Sequence, residues 1–569
     1  MNLKPINNIA EICARHGIKN VVLSPGSRCA PLTIAFARHP EIEVRTVPDE
    51  RAAAFIGLGM AQCTGKATVL VCTSGTATLN YAPAVAEAFY QQVPLLVLTA
   101  DRPPEWVNQQ DGQTIRQSHI YGHHIKASFD FPADLDHPDA QWYAYRLVSE
   151  AINAAHAFPP GPVHINVPLR EPFYPAKGTY ISYDKDLKII EELEAAPILS
   201  EKQADKLKTE LKSYAKILIV AGQHSYNPDL IAAIKSFQKS HACVIIGDII
   251  SNVYNLPQVI SSQDVILGGN QEKALAALQP ELVISFGNSI ISKSLKLFLR
   301  RYKPLAHWQV QPAGQVSDTF QALTRVIRTP PEAFFRTFST ENEENTETPF
   351  TQLWQEANAT AKSFLANYFK DQDFTEFQAY SIILQALPPG SLLHLANSMA
   401  VRYANILGLA PDKNVAVFAN RGTSGIDGST SSAVGTALQT NKLVTLLTGD
   451  MAFFYDRNAL WHNYLPENLR VVIFNNHGGG IFRLIDGPRD QPELDDYFET
   501  RQALSAKNTA RDFKMKYFAC TSLDQLQQAL PNFWQNGPTI LEIFTQSTVN
   551  ADFFVAYKNS SPFKQNKQL

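Results

Sequence analysis

Short β-rich runs alternate with helical stretches along the whole chain, which predicts an α/β protein of three doubly wound parallel-sheet domains. Two further observations set the number. At 569 residues the chain is too long for a single core and suits about three domains of ordinary size. Two linker-like stretches also divide it: a polar, tyrosine-containing segment around 175–186, and the acidic FSTENEENTETPF beginning at Phe338.

In chain order, the first third offers NVVLSPG, EVRTVPD, ATVLVCTSG, PLLVLTAD and GPVHINVP as strands. The middle third offers KILIVAG, ACVIIGD, ELVISFG and AHWQVQ. The last third offers SLLHLAN, AVFANRG, LVTLLTGD, LRVVIFNN and PTILEIF. The outer thirds share one layout. ATVLVCTSG, a helix of about fifteen residues and PLLVLTADRP parallel LVTLLTGD, a similar helix and LRVVIFNNHGGG. VVLSPGSRCAPL likewise parallels SLLHLANSMAVR, each a strand, a turn with Ser and a helix carrying Arg. Two related domains flanking a third suggest a ligand held between domains, at the carboxyl ends of the strands.

Composition narrows the partners. Apolar content of 45% with 18% charged residues is a soluble globular balance, and the net charge of −3 is nearly neutral for this length. No block of Lys and Arg interleaved with aromatics is present, so nucleic acid is not an expected partner. The six cysteines form no CxxC pair and no zinc spacing, which reads as buried free thiols in a reducing compartment. The opening MNLKPINNIAEICARHG has no signal-peptide core, and no apolar run approaches the ~20 residues of a membrane span. A cytoplasmic protein with no membrane partner is therefore expected.

The strongest chemical signal is Gly449-Asp450 at one strand end, followed by Asn475-Asn476 at the next. A hard cation such as Mg²⁺ takes oxygen ligands, one or two from protein and the rest from phosphates and water. Asp450 offers a carboxylate, Asn476 a side-chain carbonyl and Gly478 a backbone carbonyl, and the glycines of HGGG let main chain approach a diphosphate. Either dipeptide alone reads as an ordinary βα turn; the pair, one helix and one strand apart, favours the metal. Rival nucleotide motifs are incomplete. Gly57-Leu58-Gly59 runs on to Gln62, and Gly65-Lys66 precedes Ala67. PDERAAAFIGLGMA reads as a strand end entering an Ala-rich helix with Asp49 and Glu50 in its first turn, where either acid complements the helix dipole.

These residues resemble a known family. SPGSR at 24–28, DER at 49–51, TSGTATLNYAPAV at 73–85 and TADRPPE at 99–105 carry the resemblance in the first third. NSMAVR at 397–402, NRGTSGIDG at 420–428, GDMAFFYDRNAL at 449–460 and NNHGGGIF at 475–482 carry it in the last. The chain is similar over nearly its full length to the thiamine-diphosphate (ThDP)-dependent decarboxylases. Within them it resembles the 2-succinyl-5-enolpyruvyl-6-hydroxy-3-cyclohexene-1-carboxylate (SEPHCHC) synthase family of menaquinone biosynthesis. SPGSR, ADRPPE and NRGxSGIDG are the specific motifs. GDM stands where the superfamily usually has GDG, at a position that varies in this branch.

The resemblance implies a pyrimidine-binding domain over 1–180, a central α/β domain over 181–340 and a diphosphate-binding domain over 360–569. It implies ThDP with Mg²⁺ (or Mn²⁺) as cofactors, and 2-oxoglutarate and isochorismate as substrates. The first loses CO₂, and its succinyl carbanion adds to the ring in conjugate fashion. Sites between the pyrimidine domain of one subunit and the diphosphate domain of another make a homodimer the minimum unit, and homotetramers are common. Glu50 becomes the acid that hydrogen-bonds a pyrimidine nitrogen, kept partly protonated by apolar neighbours such as Phe55 and Ile56. Asp450, Asn476 and Gly478 bind the metal, beside Gly449; Ile426 props the cofactor, and Ile481 and Phe482 wall the pocket.

Both implied substrates are dianions, for which arginine's planar fork is suited. Arg402 and Arg421 are carried over as holders of the 2-oxoglutarate carboxylate. Ser27, Arg28, Arg102, Gln113 and Lys293 are carried over for isochorismate, Lys296 being an alternative to Lys293. Ser398 orients the cofactor-bound species or touches the diphosphate, and His477 is read as tolerated in the metal turn, not as a ligand. An acetohydroxyacid synthase or simple oxo-acid decarboxylase would share Glu50, Asp450 and Asn476 but would not require the three specific motifs. A non-catalytic scaffold would have lost the carboxylate or the metal ligands.

Overall fold

The computed structural model describes residues 3–193, 195–269, 271–340, 347–369 and 374–564. Seventeen strands among them form three all-parallel sheets. The first contains β1 (Asn20–Leu23), β2 (Glu43–Thr46), β3 (Thr68–Cys72), β4 (Leu95–Asp101), β5 (Ala127–Asp130) and β6 (Pro162–Pro168), ordered β2-β1-β3-β4-β6-β5. The second contains β7 (Ile217–Ala221), β8 (Cys243–Gly247), β9 (Leu282–Phe286), β10 (Ala306–Val310) and β11 (Arg325–Ile327), ordered β11-β10-β9-β7-β8. The third contains β12 (Leu392–Leu395), β13 (Ala416–Phe418), β14 (Val444–Gly449), β15 (Leu469–Asn475), β16 (Lys516–Cys520) and β17 (Thr539–Phe544), ordered β13-β12-β14-β15-β17-β16.

The expected architecture of three parallel α/β domains is thus present. Helices cover both faces, so central strands such as ILIVA at 217–221 are buried at every residue and read as continuous apolar runs. Every strand expected from the sequence forms. The three not expected, β5, β11 and β16, all lie at sheet edges. Each has residues left partly exposed, so no apolar run marks it.

The outer sheets have the same strand order, as the shared layout predicts. Their helices differ. After β3 the helical stretch divides at Tyr81 into Thr76–Asn80 and Ala82–Gln91, and Pro83 starts the second piece. After β14 the helix is only Asp450–Tyr455, continued by the 3-10 turn Arg457–Leu460. The segment around 175–186 has no regular structure but is strapped to the first domain. Tyr183 donates to the Ala35 carbonyl at 2.7 Å, and Asp184 pairs with Lys4 at 2.5 Å and accepts from Asn8 at 2.9 Å. Of the acidic linker, 341–346 lies outside the described residues.

Topologically equivalent helices, Glu50–Thr64 after β2 and Ser429–Ala437 after β13, lock the outer domains together. A Cβ on Gly59 would lie 2.0 Å from the Ser432 carbonyl oxygen, and one on Gly435 would lie 2.0 Å from that of Ile56. The two backbones therefore touch, and any side chain at either point would separate them. The central domain braces the third from outside its edge strand. Asn252 accepts from the Val417 N–H at 2.8 Å and donates to its carbonyl at 3.0 Å, while Tyr254 does the same at Val415 at 2.6 and 2.9 Å.

Gly435→Ala is expected to destabilise the protein by overpacking, on the order of 1–3 kcal/mol or more. A lower thermal midpoint than wild type, with the far-UV circular dichroism spectrum retained, is the result to look for; an unchanged midpoint would show that the helices can part at no cost.

Candidate active site

The carboxyl edge of the third sheet carries most of the chemistry. β14 ends at Gly449 and turns directly into a helix, which puts Asp450 in its first turn. Asp450 is buried and accepts from the Met451 N–H at 2.8 Å and the Gln502 side chain at 2.7 Å; burial lifts its pKa to about 6. Asn476 follows the end of β15. Its Nδ2 donates to Glu376 at 3.3 Å, and its Oδ1 is buried without a partner. Leaving such an oxygen unsatisfied costs about 1–3 kcal/mol. Glu376 is itself buried; desolvation and the Asp450 charge raise its pKa to about 8.

The glycines here have opposite roles. A Cβ on Gly478 would lie 2.9 Å from Glu499, so the turn closes only on glycine, and its N–H points to Asp450. A Cβ on Gly449 would meet nothing within 4 Å, which leaves open space beside the carboxylate. His477, at φ +65°, stacks on Phe544 at 5.9 Å. Ile481 and Phe482 are half-buried in the turn that follows, and Phe482 lies 5.8 Å from Phe498. A carboxylate, an unpartnered amide oxygen and a backbone carbonyl form an all-oxygen set of the kind a hard cation takes.

β12 delivers Asn397 and Ser398. Ser398 has φ +69° and ψ −129°, a strained conformation that costs a non-glycine residue about 1–3 kcal/mol. Buried Asn397 donates to the carbonyls of Asn420 at 2.7 Å and Gly425 at 2.6 Å and accepts from Arg421 at 2.9 Å. It thereby ties the NRGTSGIDG loop, with half-buried Ile426, to the end of β12. Arg402 donates to the Ser398 carbonyl at 2.5 Å, and Arg421 keeps a buried Nε without a partner. Burial lowers the pKa of both, and Arg402's charge lowers that of Arg421 further, yet guanidinium remains charged. Among the described residues neither forms an ion pair, so exposed Arg402 and half-buried Arg421 both keep their charge available to an incoming anion.

At the first sheet, Arg28 and Arg102 come together. Arg28 donates to the Leu169 carbonyl at 2.9 Å and lies over the Phe173 ring at 4.5 Å; burial and then Arg102 lower its pKa. Arg102 donates to Ser74 at 2.6 Å and to the Gln113 carbonyl at 3.3 Å, and pairs with Asp111 at 2.7 Å. Gln113, at φ +56°, packs its backbone against Gly75, at φ +89°. Ser27 is exposed in the preceding turn. Lys293 is exposed at the start of its helix, in the field of Lys558, whereas Lys296 lies in the field of Arg421 and Arg402.

Asp49 and Glu50 divide their work. Asp49 caps the helix by accepting from the Ala52 N–H at 3.1 Å and also accepts from Asn458 at 2.8 Å, which leaves Glu50 the uncommitted acid. The expected shielding of Glu50 by Phe55 and Ile56 does not occur within one chain. Five and six residues on, both fall on the far side of the helix. Phe55 packs on Gly428 and Ile56 is in the core, so Glu50 stays half-buried.

Residues 6–120 match the thiamine pyrophosphate enzyme N-terminal TPP-binding domain, and 191–395 match the middle domain of thiamine pyrophosphate enzymes. A SEPHCHC synthase of Cytophaga hutchinsonii is 49% identical over 98% of this chain and 99% of its own length. Those of Flavobacterium johnsoniae and Porphyromonas gingivalis are 38% and 36% identical over 95% and 97% of this chain, and each is covered over 96% of its length. The chain belongs to the SEPHCHC synthase family. Like its relatives it is an enzyme dependent on thiamine pyrophosphate, the compound also called ThDP.

In this SEPHCHC synthase family member, sequence reading missed the residues that support the site. Glu376 and Gln502 touch the predicted residues from outside every motif, while Asn397 and Ser74 lie inside the NSMAVR and TSGTATLNYAPAV motifs but carried no role of their own. Glu376 had a local signal, as an acid in the first turn of a helix, but that is the pattern of any dipole-complementing acid.

The pKa of Glu376 is raised from 4.5 to about 8, so its contribution to ligand-free stability is present at low pH and lost as pH rises through about 8. Glu376→Gln should therefore flatten the decline in melting temperature of the ligand-free protein between about pH 5 and 8. Parallel wild-type and variant profiles would refute the buried, protonated state.

Proposed function

We propose that the protein is a SEPHCHC synthase: it decarboxylates 2-oxoglutarate and adds the succinyl unit to isochorismate, in menaquinone biosynthesis, with ThDP and Mg²⁺ (or Mn²⁺). The observation that carries this reading is the pair of arginine sets, Arg402 with Arg421 and Arg28 with Arg102, at the ends of two sheets of one plan. Each set suits one dianionic substrate.

When bound, ThDP supplies the electron sink for CO₂ loss. Asp450, the Asn476 Oδ1 and the Gly478 carbonyl would hold the metal, and the open space beside Gly449 leaves room for the diphosphate. Half-buried Ile426 would support the cofactor, and Ile481 and Phe482 would wall the pocket. Glu50 holds a proton against a pyrimidine ring nitrogen. Arg402 and Arg421 grip the carboxylate of 2-oxoglutarate, with strained Ser398 presented beside them. Ser27, Arg28, Arg102 and Gln113 orient isochorismate, and Lys293 supplies a further cation. The relatives' shared name supports the reaction, and the oxygen donor set supports the metal.

The working unit is at least a homodimer, with the first domain of one subunit facing the third of another, and a homotetramer is the fuller assembly. Half-exposed Glu50 supports this, since a pyrimidine-binding acid works best desolvated. So do Leu79, Tyr90 and Tyr455, exposed on the helical segments after β3 and β14, and Trp461, exposed just past the latter. Among the described residues no helix is long and apolar enough to cross a membrane, and the six cysteines are free. A cytoplasmic enzyme accords with both. The three domains take the boundaries 1–180, 181–340 and 360–569, which bracket the three sheets.

CO₂ release from 2-oxoglutarate with ThDP and Mg²⁺ should be coupled to consumption of isochorismate; release from pyruvate instead would discard the substrate assignment. Glu50→Gln should retain cofactor binding and lose turnover by orders of magnitude, and normal turnover would remove Glu50 from its role. In Arg102→Ala, kcat/KM for isochorismate should fall about tenfold or more while single-turnover CO₂ release is spared. Equal loss of both would refute the division between the arginine sets.

A further inference from the structure

We infer that Glu376 is a positioning residue for the metal site: it fixes the Asn476 side-chain amide so that the carbonyl oxygen, and not the NH₂ group, faces the cation. The inference rests on the reading of Asp450 and Asn476 given above and adds to it a residue from a distant helix.

Three contacts deliver Glu376 to that point. It opens the helix Glu376–Ala386, where the Thr375 side chain caps the Gln378 N–H at 3.4 Å. Asn550, on the C-terminal helix, accepts from the Glu376 N–H at 3.0 Å. One turn on, Tyr380 stacks on Phe474 of β15 with ring centroids 3.7 Å apart and planes 10° from parallel. The helix start is thus held against the strand that leads into Asn476, and the carboxyl group, on a residue only 4% exposed, meets Asn476 Nδ2 at 3.3 Å.

A primary amide has one donor end and one acceptor end, and the two can exchange by a flip. Ionised or protonated, a carboxyl group keeps an oxygen that accepts, and here that oxygen meets the NH₂ end of Asn476, which turns Oδ1 away from Glu376. That oxygen is the buried, unpartnered atom of the site. Among the described residues the Glu376 carboxyl has no other hydrogen-bond partner. A buried acid is therefore kept for a single bond, and that bond decides which end of Asn476 is available. Outer-shell partners of this kind typically change metal affinity about 10–100-fold when lost.

The test reads metal binding and needs no turnover. At saturating ThDP, the Mg²⁺ concentration giving half of the cofactor-dependent rise in melting temperature is measured for wild type and three variants. Glu376→Gln keeps an acceptor of the same reach and should stay at the wild-type value. Glu376→Met removes the acceptor at similar volume, and Glu376→Asp keeps the charge but withdraws it by one methylene. Both should need about tenfold more Mg²⁺ or higher. If the methionine variant does not fold, the aspartate variant carries the comparison. Equal weakening in the glutamine and methionine variants would overturn the inference in favour of a charge effect, and so would unchanged binding in the aspartate variant. Wild-type protein with no Mg²⁺-dependent rise would overturn the metal site itself, and this assignment with it.

Discussion

The backbone contact between the helices Glu50–Thr64 and Ser429–Ala437 is the constraint on which the arrangement of the molecule depends. Gly59 and Gly435 let the two helices approach until main chain touches main chain, and close packing holds them there. The same crossing sets Glu50 at one end of the first helix and places the NRGTSGIDG loop just before the second. Phe55 seated on Gly428 and Glu87 accepting from the Gly422 and Thr423 N–H groups at 2.7 Å extend the lock to the loop itself. Two sheets of identical order are thereby fixed about a shared seam.

Like charges lie close together along the carboxyl edge of the third sheet. The Asp450 charge raises the cost of ionising buried Glu376, and the Arg402 charge adds to the effect of burial in lowering the pKa of Arg421. Backbone strain accompanies this: Ser398, Ser424 and His477 all take φ between +64° and +69° in the turns that present the site. The surrounding bonds, Asn397 above all, hold those turns in place.

The central domain acts as a brace. Asn252 and Tyr254 extend hydrogen bonding beyond β13, and Asp248 accepts from Asn405 at 3.2 Å, one turn beyond Arg402 on its helix. Lys296, from the same domain, adds its charge to the arginine pair. The domain thus stabilises the helix that carries Arg402 from outside the sheet.

The sequence by itself determined the fold class, the central strands, the duplicated strand plan and the side chains at strand ends. These are local: an apolar run buried on both faces, and a Gly, Asp or Asn where a strand must turn, are written within a few residues. Edge strands β5, β11 and β16 escaped because partial exposure removes the apolar signature. Only the tertiary structure decided that Asp49 caps its helix while Glu50 stays free, that Lys296 and not Lys293 shares the field of Arg402, and that Phe55 packs on Gly428 instead of shielding Glu50. It alone brought Glu376 to Asn476, 100 residues apart. Such choices depend on which face of a helix meets which strand end, and that is settled by packing between domains, for which no short stretch of sequence carries a signal.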